Sequence, residues 1–460
     1  MIGVLYSDKY AVNETFQLLK TQWEWYDQSK TYDVVIAHKK DLPEYSGNLI
    51  NLDQTDFFKL ISNHLNTQQQ WIHFPIVEFF INDLRDLLKQ YITLIEIPPL
   101  PWGYSYIIAV THDVDVISVK DARFTTICNA GLQCISQGKF KEGIQFILSY
   151  LKLSKKDPWD LFDKWIKLEN ELGIKSTFFI VPVQNTCGKQ APQSRLVTYS
   201  YSNINFEKLI KNGNEIGIHG IDNWYNIEKA QSELHAFKSS CGNRTHWLMQ
   251  NENSYKILDN VGYLYDSTCG YDDFIGFSTG TLQVYKPRDV KTLLELPMHI
   301  QDIALFGKTC WHRLLNGTWE KRKCLNLDTN TAYSRCCRIL DFAMEFGGVI
   351  TISWHYENIT CPRNWKLIYK SIIERAKSDN ALITTAKNSI EWFKERRNTY
   401  ITYEKCDNIL KIKITKSTPN LRIRLHIEPL KIDTIDSEYI CDKNYVDIKP
   451  SKQFITVKLK

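Results

Sequence analysis

The sequence predicts an α/β protein whose central segment has parallel strands covered by helices, closed as a barrel or wound as an open sheet. Smaller units flank it on both sides. Three observations carry the prediction. Between residues 104 and 398, short β-forming runs alternate with amphipathic segments of helical period, the rhythm of βαβ units. The first of these runs, Ile107–Val110, ends abruptly in the ionisable cluster His112, Asp113 and Asp115. Beyond residue 401 the pattern changes to period-two alternation, as in ILKIKIT, which describes an antiparallel sheet with one wet face.

The elements follow in order. In residues 1–98, MIGVLYS, YDVVIAHKK and GNLINLD read as strands, and FFKLISNHLNTQQQ and EFFINDLRDLLKQYITLI as helices, making a small α/β unit. The proline-rich stretch IPPLPWG, Ile97 to Gly103, is a hinge. In the segment 104–398, SYIIAVTHD, KSTFFIVPV, EIGIHG, NRTHWLM, LLELPMHIQ and VITISWH are the predicted strands. DPWDLFDKWIKLENELGI, NFEKLIKNGN, SYKILDNVG, TAYSRCCRILDFAMEFGG, NWKLIYKSIIERAKS and KNSIEWFKERRN are the predicted helices. ILKIKIT, LRIRLHIEP and FITVKLK build a small β unit over 401–460.

Bulk composition narrows the function classes. With 43% hydrophobic and 24% charged residues, the 460-residue chain is globular and long enough for two or three cores. Its net charge is only +5, and the last sixty residues hold twelve Lys/Arg against eight Asp/Glu, so no concentrated basic footprint of a nucleic-acid binder is present. No apolar run reaches 18 residues, which predicts no transmembrane helix. MIGVLYSDKYAVNE lacks the basic and apolar regions of an export signal. The twelve cysteines contain no C-x-x-C pair, and reduced thiols in a cytoplasmic protein are the expectation. No G-x-G-x-x-G follows the first strand of the central segment, which disfavours a dinucleotide site.

The chemistry concentrates at strand ends, where α/β folds build their sites. Side chains two apart on a strand share a face, so Asp113 and Asp115 stand together while His112 points away and fixes the strand by a hydrogen bond. Two carboxylates that close raise each other's pKa unless a cation lies between them. His219 follows EIGI, His355 follows VITISW, and Arg244 and His246 are spaced to share one strand face. His299 reads as structural. Trp224, Tyr225, Trp247 and Trp354 stand beside these groups in sequence, as sugar-stacking walls or as core.

These motifs, in this order, resemble the polysaccharide deacetylase family, the NodB-homology or carbohydrate esterase family 4 fold, in the branch with T-H-D-V-D at Thr111 to Asp115. EIGIHG at 215–220, NRTHWLM, the loop 262–287, ELPMHIQDIALF and VITISWH match its later motifs. The resemblance covers about 104 to 395. It implies a distorted (β/α)7 barrel and metal-dependent removal of N-acetyl or O-acetyl groups from a glycan or amino-sugar conjugate. By it, Asp113 is the general base, Arg244 tethers that base, and His355 protonates the leaving amine. Asp115 and His219 are metal ligands, and Asp302 lines the substrate pocket; Trp224 and Tyr225, by their place beside the ligands in sequence, are the candidate substrate contacts. The cofactor implied is a divalent ion, zinc first, with cobalt or nickel as alternatives.

One position departs from the family. Its second histidine, four residues after the first, is here Asn223, a neutral and hard donor that suits zinc poorly. Either His246 completes the ligand set, or the site holds metal weakly or has lost it. The second functional reading is therefore a degenerate member that binds glycans or a partner without catalysis. A third is hydrolysis of a non-sugar C–N bond. The location expected is the cytoplasm, at the inner face of the membrane if the substrate is lipid-linked, with a role in surface-polysaccharide assembly.

Overall fold

The computed structural model describes residues 1–67, 72–122, 124–182, 204–237, 242–313, 319–416, 418 and 420–460. Its centre is a parallel sheet of nine strands, numbered here within that sheet. They are β1 Ile107–Val114, β2 Thr177–Ile180, β3 Glu215–Gly220, β4 Gly242–Thr245, β5 Tyr265–Asp266, β6 Leu294–Glu295, β7 Ile300–Gln301, β8 Val349–Ser353 and β9 Leu382–Thr384. The order is β6-β5-β4-β3-β2-β1-β8-β7, a curled half-barrel with no pairing between β6 and β7 among the described residues.

Strand β1 is the axis of this sheet and is buried along all eight residues. One edge pairs with β8 from Ile107 to Thr111. The other edge is shared: β9 takes Ile107 to Ala109, and β2 takes Thr111 to Val114. This split distorts the barrel beside Asp113. Where a single strand LLELPMHIQ is expected, two short strands, β6 and β7, form instead. Between them Met298 N–H bonds Cys269 O and His299 N–H bonds Thr351 O, which carries the chain from one sheet edge to the other.

Helices Phe162–Glu171, Thr329–Phe346 and Lys366–Ser378 turn apolar faces onto the sheet, and Trp165, Leu340 and Ile373 enter its main core. His112 lies under the barrel, fully buried, with Nδ1 2.9 Å from Trp354 O and Nε2 2.8 Å from Glu169 Oε1. The flanks hold the expected strands and add elements the sequence reading did not place, among them helix Lys9–Leu19 and strands Glu24–Trp25 and Val446–Lys449. Strands Glu24–Trp25, Ile2–Val4, Val34–Ala37 and Leu49–Asn51 form a parallel sheet in that order. Two four-stranded antiparallel sheets enclose a core of Leu410, Ile412, Ile423 and Ile448, and one of them takes in Ile95–Glu96, which precede the hinge.

The expectation of reduced thiols throughout is not met, because Cys134 and Cys361 are bonded. Burial brings them together: Cys134 sits on a helix packed against the loop that carries Cys361.

His299 has the structural place expected. Its Nε2–H donates to Thr281 O at 3.1 Å and its Nδ1 accepts from Thr351 N–H at 3.2 Å, a pairing that only the neutral ring satisfies. Burial pushes its pKa down to about 4, against a smaller opposing pull from the Thr281 carbonyl. The folded value lies below the unfolded one, so the unfolded chain takes up this proton first as pH falls. The stability is complete above about 6.5 and fades towards pH 4, up to about 3 kcal/mol. Denaturant titrations at pH 7 and pH 4.5 are expected to show that loss, and His299→Gln a shallower pH slope.

Candidate active site

The carboxyl ends of β1, β3, β4, β7 and β8 converge on one cavity of about 230 Å³, whose wall includes Asp113, Asp115, His219, His246 and His355. Register explains the convergence. His219 and Arg244 are direct partners across β3 and β4, so the end of one strand faces the end of the next.

Asp113 is buried and accepts a hydrogen bond from Arg244 Nη1 at 3.0 Å. The guanidinium is fully buried and has no slack: Nη1 also donates to Thr111 Oγ1 (2.6 Å), Nε to Ser267 O (3.0 Å) and Nη2 to Ser267 Oγ (2.8 Å). Its face lies 4.6 Å from the centre of the Phe179 ring. Burial alone drives the Asp113 pKa up, but Arg244, His219 and His355 together hold it below the usual carboxylate value.

Asp115 Oδ1 lies 3.2 Å from His219 Nε2 and 3.2 Å from His246 Nδ1, and those two nitrogens are 3.0 Å apart. The triangle is nearly equilateral. Its edges match the ~3.3 Å expected between ligands of a tetrahedral ion with bonds of about 2.0–2.1 Å. The donor set, two imidazoles and one carboxylate, is also the chemistry a zinc-like ion takes. His219 Nδ1 donates to Arg244 O at 2.9 Å, which fixes the tautomer and turns the Nε2 lone pair into the triangle. Burial opposes charge on both groups, yet the Asp115 pKa falls well below its ordinary value beside His246 and His219. The His219 pKa rises beside Asp113 and Asp115. Among the described residues, no other group of three such ligands converges in this way.

His246 reaches the triangle by a different route from the one expected. Strand β4 stops at Thr245, and His246 opens a 3₁₀ turn in which Trp247 has φ 57°. The turn swings the imidazole towards His219 and stacks the Trp247 ring on it at 5.4 Å. Asn223 is not at this corner. It is fully buried beneath the strand ends, where its Nδ2 donates to Asn243 Oδ1 at 2.7 Å.

His355 stands at the end of β8, its Nδ1–H donating to Asp302 Oδ1 at 2.7 Å. Asp302 Oδ2 accepts from the His355 N–H at 2.9 Å and from Asn358 Nδ2 at 2.7 Å. Burial works against the imidazolium, but Asp302, with Asp115 and Asp113, raises the pKa to about 10. His355 therefore carries a proton at neutral pH and loses it only in strong alkali.

Three expectations need correcting. Asp302 does not line the pocket; it is fully buried behind His355, where its charge is matched by four donors, the Ile303 N–H among them. Trp224 is not a sugar platform, since it is 2% exposed, packs on Met249 and donates its indole N–H to Ile221 O. Tyr225 packs edge-on against Trp224 and does not reach the cavity wall. Trp354 is likewise core. The cavity wall instead includes Trp247 and residues that sequence reasoning did not single out, among them Gln301, Glu357 and Arg363. The polar stretch HYEN directly after β8 is the signal that marks Glu357.

No family model matches the chain, and no curated protein matches it. Several solved structures resemble it. One is described as a polysaccharide deacetylase from Mycobacterium smegmatis, 17% identical with a TM-score of 0.40 over 68% of this chain and all of that one. Another is PuuE allantoinase, 14% identical with a TM-score of 0.39 over 64% of this chain and 92% of that one. A third is the carbohydrate deacetylase Agd3, 11% identical with a TM-score of 0.32 over 65% of this chain and 47% of that one.

Proposed function

We propose that the chain is a divalent-metal hydrolase that removes an N-acetyl or O-acetyl group from a glycan or amino-sugar conjugate. The observation that carries the proposal is the triangle Asp115–His219–His246 set beside a tethered carboxylate, Asp113, and across from a protonated imidazole, His355. Zinc, or cobalt in its place, supplies Lewis-acid polarisation of the acyl oxygen and acidified water when bound. Asp113, held ionised by Arg244, is the group that takes a proton from the attacking water. His355, held protonated by Asp302, gives a proton to the leaving nitrogen or oxygen. Asp302 orients that imidazole through Nδ1, so Nε2 is the donating atom. The intact triangle favours catalysis over a degenerate binding module, because a module of that kind has no use for three converging ligand atoms.

The substrate is proposed to serve surface-polysaccharide assembly. Among the described residues no helix is long and apolar enough to cross a membrane. The test is acetate release from a panel of acetylated glycans and amino-sugar conjugates by metal-reconstituted protein. Release that requires both the ion and Asp113 is the expected result; none across the panel sinks the proposal.

The role of Asp302 gives a pH signature. His355 is the acid while it keeps its proton, so activity persists below its pKa and falls as pH rises through it. Removing the Asp302 charge lowers that pKa. In Asp302→Asn the alkaline limb of kcat against pH is expected to move to lower pH by at least ~1 unit. An unmoved limb would remove His355 from the acid role.

A further inference from the structure

Between β1 and the helix Phe162–Glu171 the chain inserts a helical hairpin, Phe124–Ser136 and Phe140–Tyr150. Its buried side is conventional: Ile127, Ala130, Cys134 and Phe146 join a small core. Gly131 and Gly143 meet across it, each leaving no room for a Cβ against the other's carbonyl oxygen, so the helices lie close. The opposite side is also apolar. Leu132, Phe140, Ile144, Leu148, Leu151 and Leu153 are between 36% and 71% exposed. Phe140, Ile144, Leu148 and Leu151 fall on one arc of under a quarter-turn, by the 100° step of an α-helix. A folded chain has no reason to present such a stripe to water.

Charge identifies the occupant. Residues 139–156 contain five lysines, Lys139, Lys141, Lys152, Lys155 and Lys156, and a single acid, Glu142. None of the five is ion-paired among the described residues. A second copy seated on this face would set lysines against lysines. An anionic lipid surface satisfies both features at once, with apolar side chains in the headgroup–acyl boundary and ammonium groups at the phosphates. We infer that the hairpin 124–153 docks the protein on an anionic phospholipid membrane.

The hairpin is joined to the cavity. Cys134 is bonded to Cys361, and Gln137 Nε2 donates to Pro362 O at 2.8 Å. The same short segment carries Glu357 and Arg363, which wall the cavity. The element that docks is thereby fixed to the segment that walls the cavity. Resting on the deacetylase reading, this names the substrate class as a lipid-linked glycan.

The test is co-sedimentation of the full chain with vesicles of phosphatidylcholine alone, or with about a third phosphatidylglycerol. The expected result is at least ~10-fold more protein on the anionic vesicles, declining as salt is raised. Two variants are expected to lose that binding and keep their melting temperature: Phe140→Ser/Ile144→Ser/Leu151→Ser/Leu153→Ser, and Lys152→Glu/Lys155→Glu/Lys156→Glu. Both are expected to retain kcat/KM on a water-soluble acetylated sugar. Absence of binding to either vesicle, or variants that bind as wild type does, would overturn the inference. So would a wild-type dimer that the serine variant dissolves in the absence of vesicle binding, which assigns the face to a second copy. Vesicle binding by a protein without deacetylase activity supports the docking surface and overturns the substrate class alone.

Discussion

Asp113→Asn is expected to cut acetate release by ~10²-fold or more while the protein binds its metal as wild type does. The substitution keeps the size of the side chain and removes only its basicity. Asp113 is no corner of the ligand triangle, so the loss falls on kcat. The Arg244 Nη1 hydrogen bond can still be accepted by the amide oxygen, so the fold survives. Wild type and variant compared for metal content and turnover separate the two roles. Equal turnover would remove Asp113 from the chemistry.

Arg244→Ala is expected to act on stability as well as rate. The guanidinium is wholly buried, and four of its hydrogen bonds end on Thr111, Asp113 and Ser267. Its loss strands the Asp113 charge in a water-poor site, and breaking a buried pair from one side costs about 3–5 kcal/mol. The urea midpoint should fall accordingly, measured with the Asp113→Asn/Arg244→Ala double variant beside it. The double variant should recover part of the loss, because no charge is left stranded. Lysine at 244 should not restore the site, since an ammonium cannot span the fork from Ser267 to Asp113. A single variant as stable as wild type would contradict the tether.

What was legible in the sequence is what local geometry decides. The strand at β1 and the shared face of Asp113 and Asp115 follow from alternation alone. So does ILKIKIT, whose residues alternate exposed and buried throughout. Strand ends that deliver His219 and His355 are legible because βαβ rhythm fixes where strands stop. What depended on packing was not legible. Asp302 lies one residue past β7, and only the approach of His355 from β8 turns it inward. Trp224 is next to Asn223, and the turn after β3 buries both. His246 meets the triangle through a left-handed backbone at Trp247, which alternation cannot foresee. The hairpin 124–150 is rich in Thr, Gly and Cys, weak helix formers held helical by close packing at Gly131 and Gly143.

The most direct measurement is a zinc titration of the metal-free protein, followed by dialysis and metal analysis, on wild type, His246→Ala and Asn223→Ala. One ion per chain for wild type and for Asn223→Ala, with at least ~10²-fold weaker binding in His246→Ala, is the predicted result. Tight binding that survives His246→Ala, or a wild-type protein that takes up no ion, would contradict the account at its root.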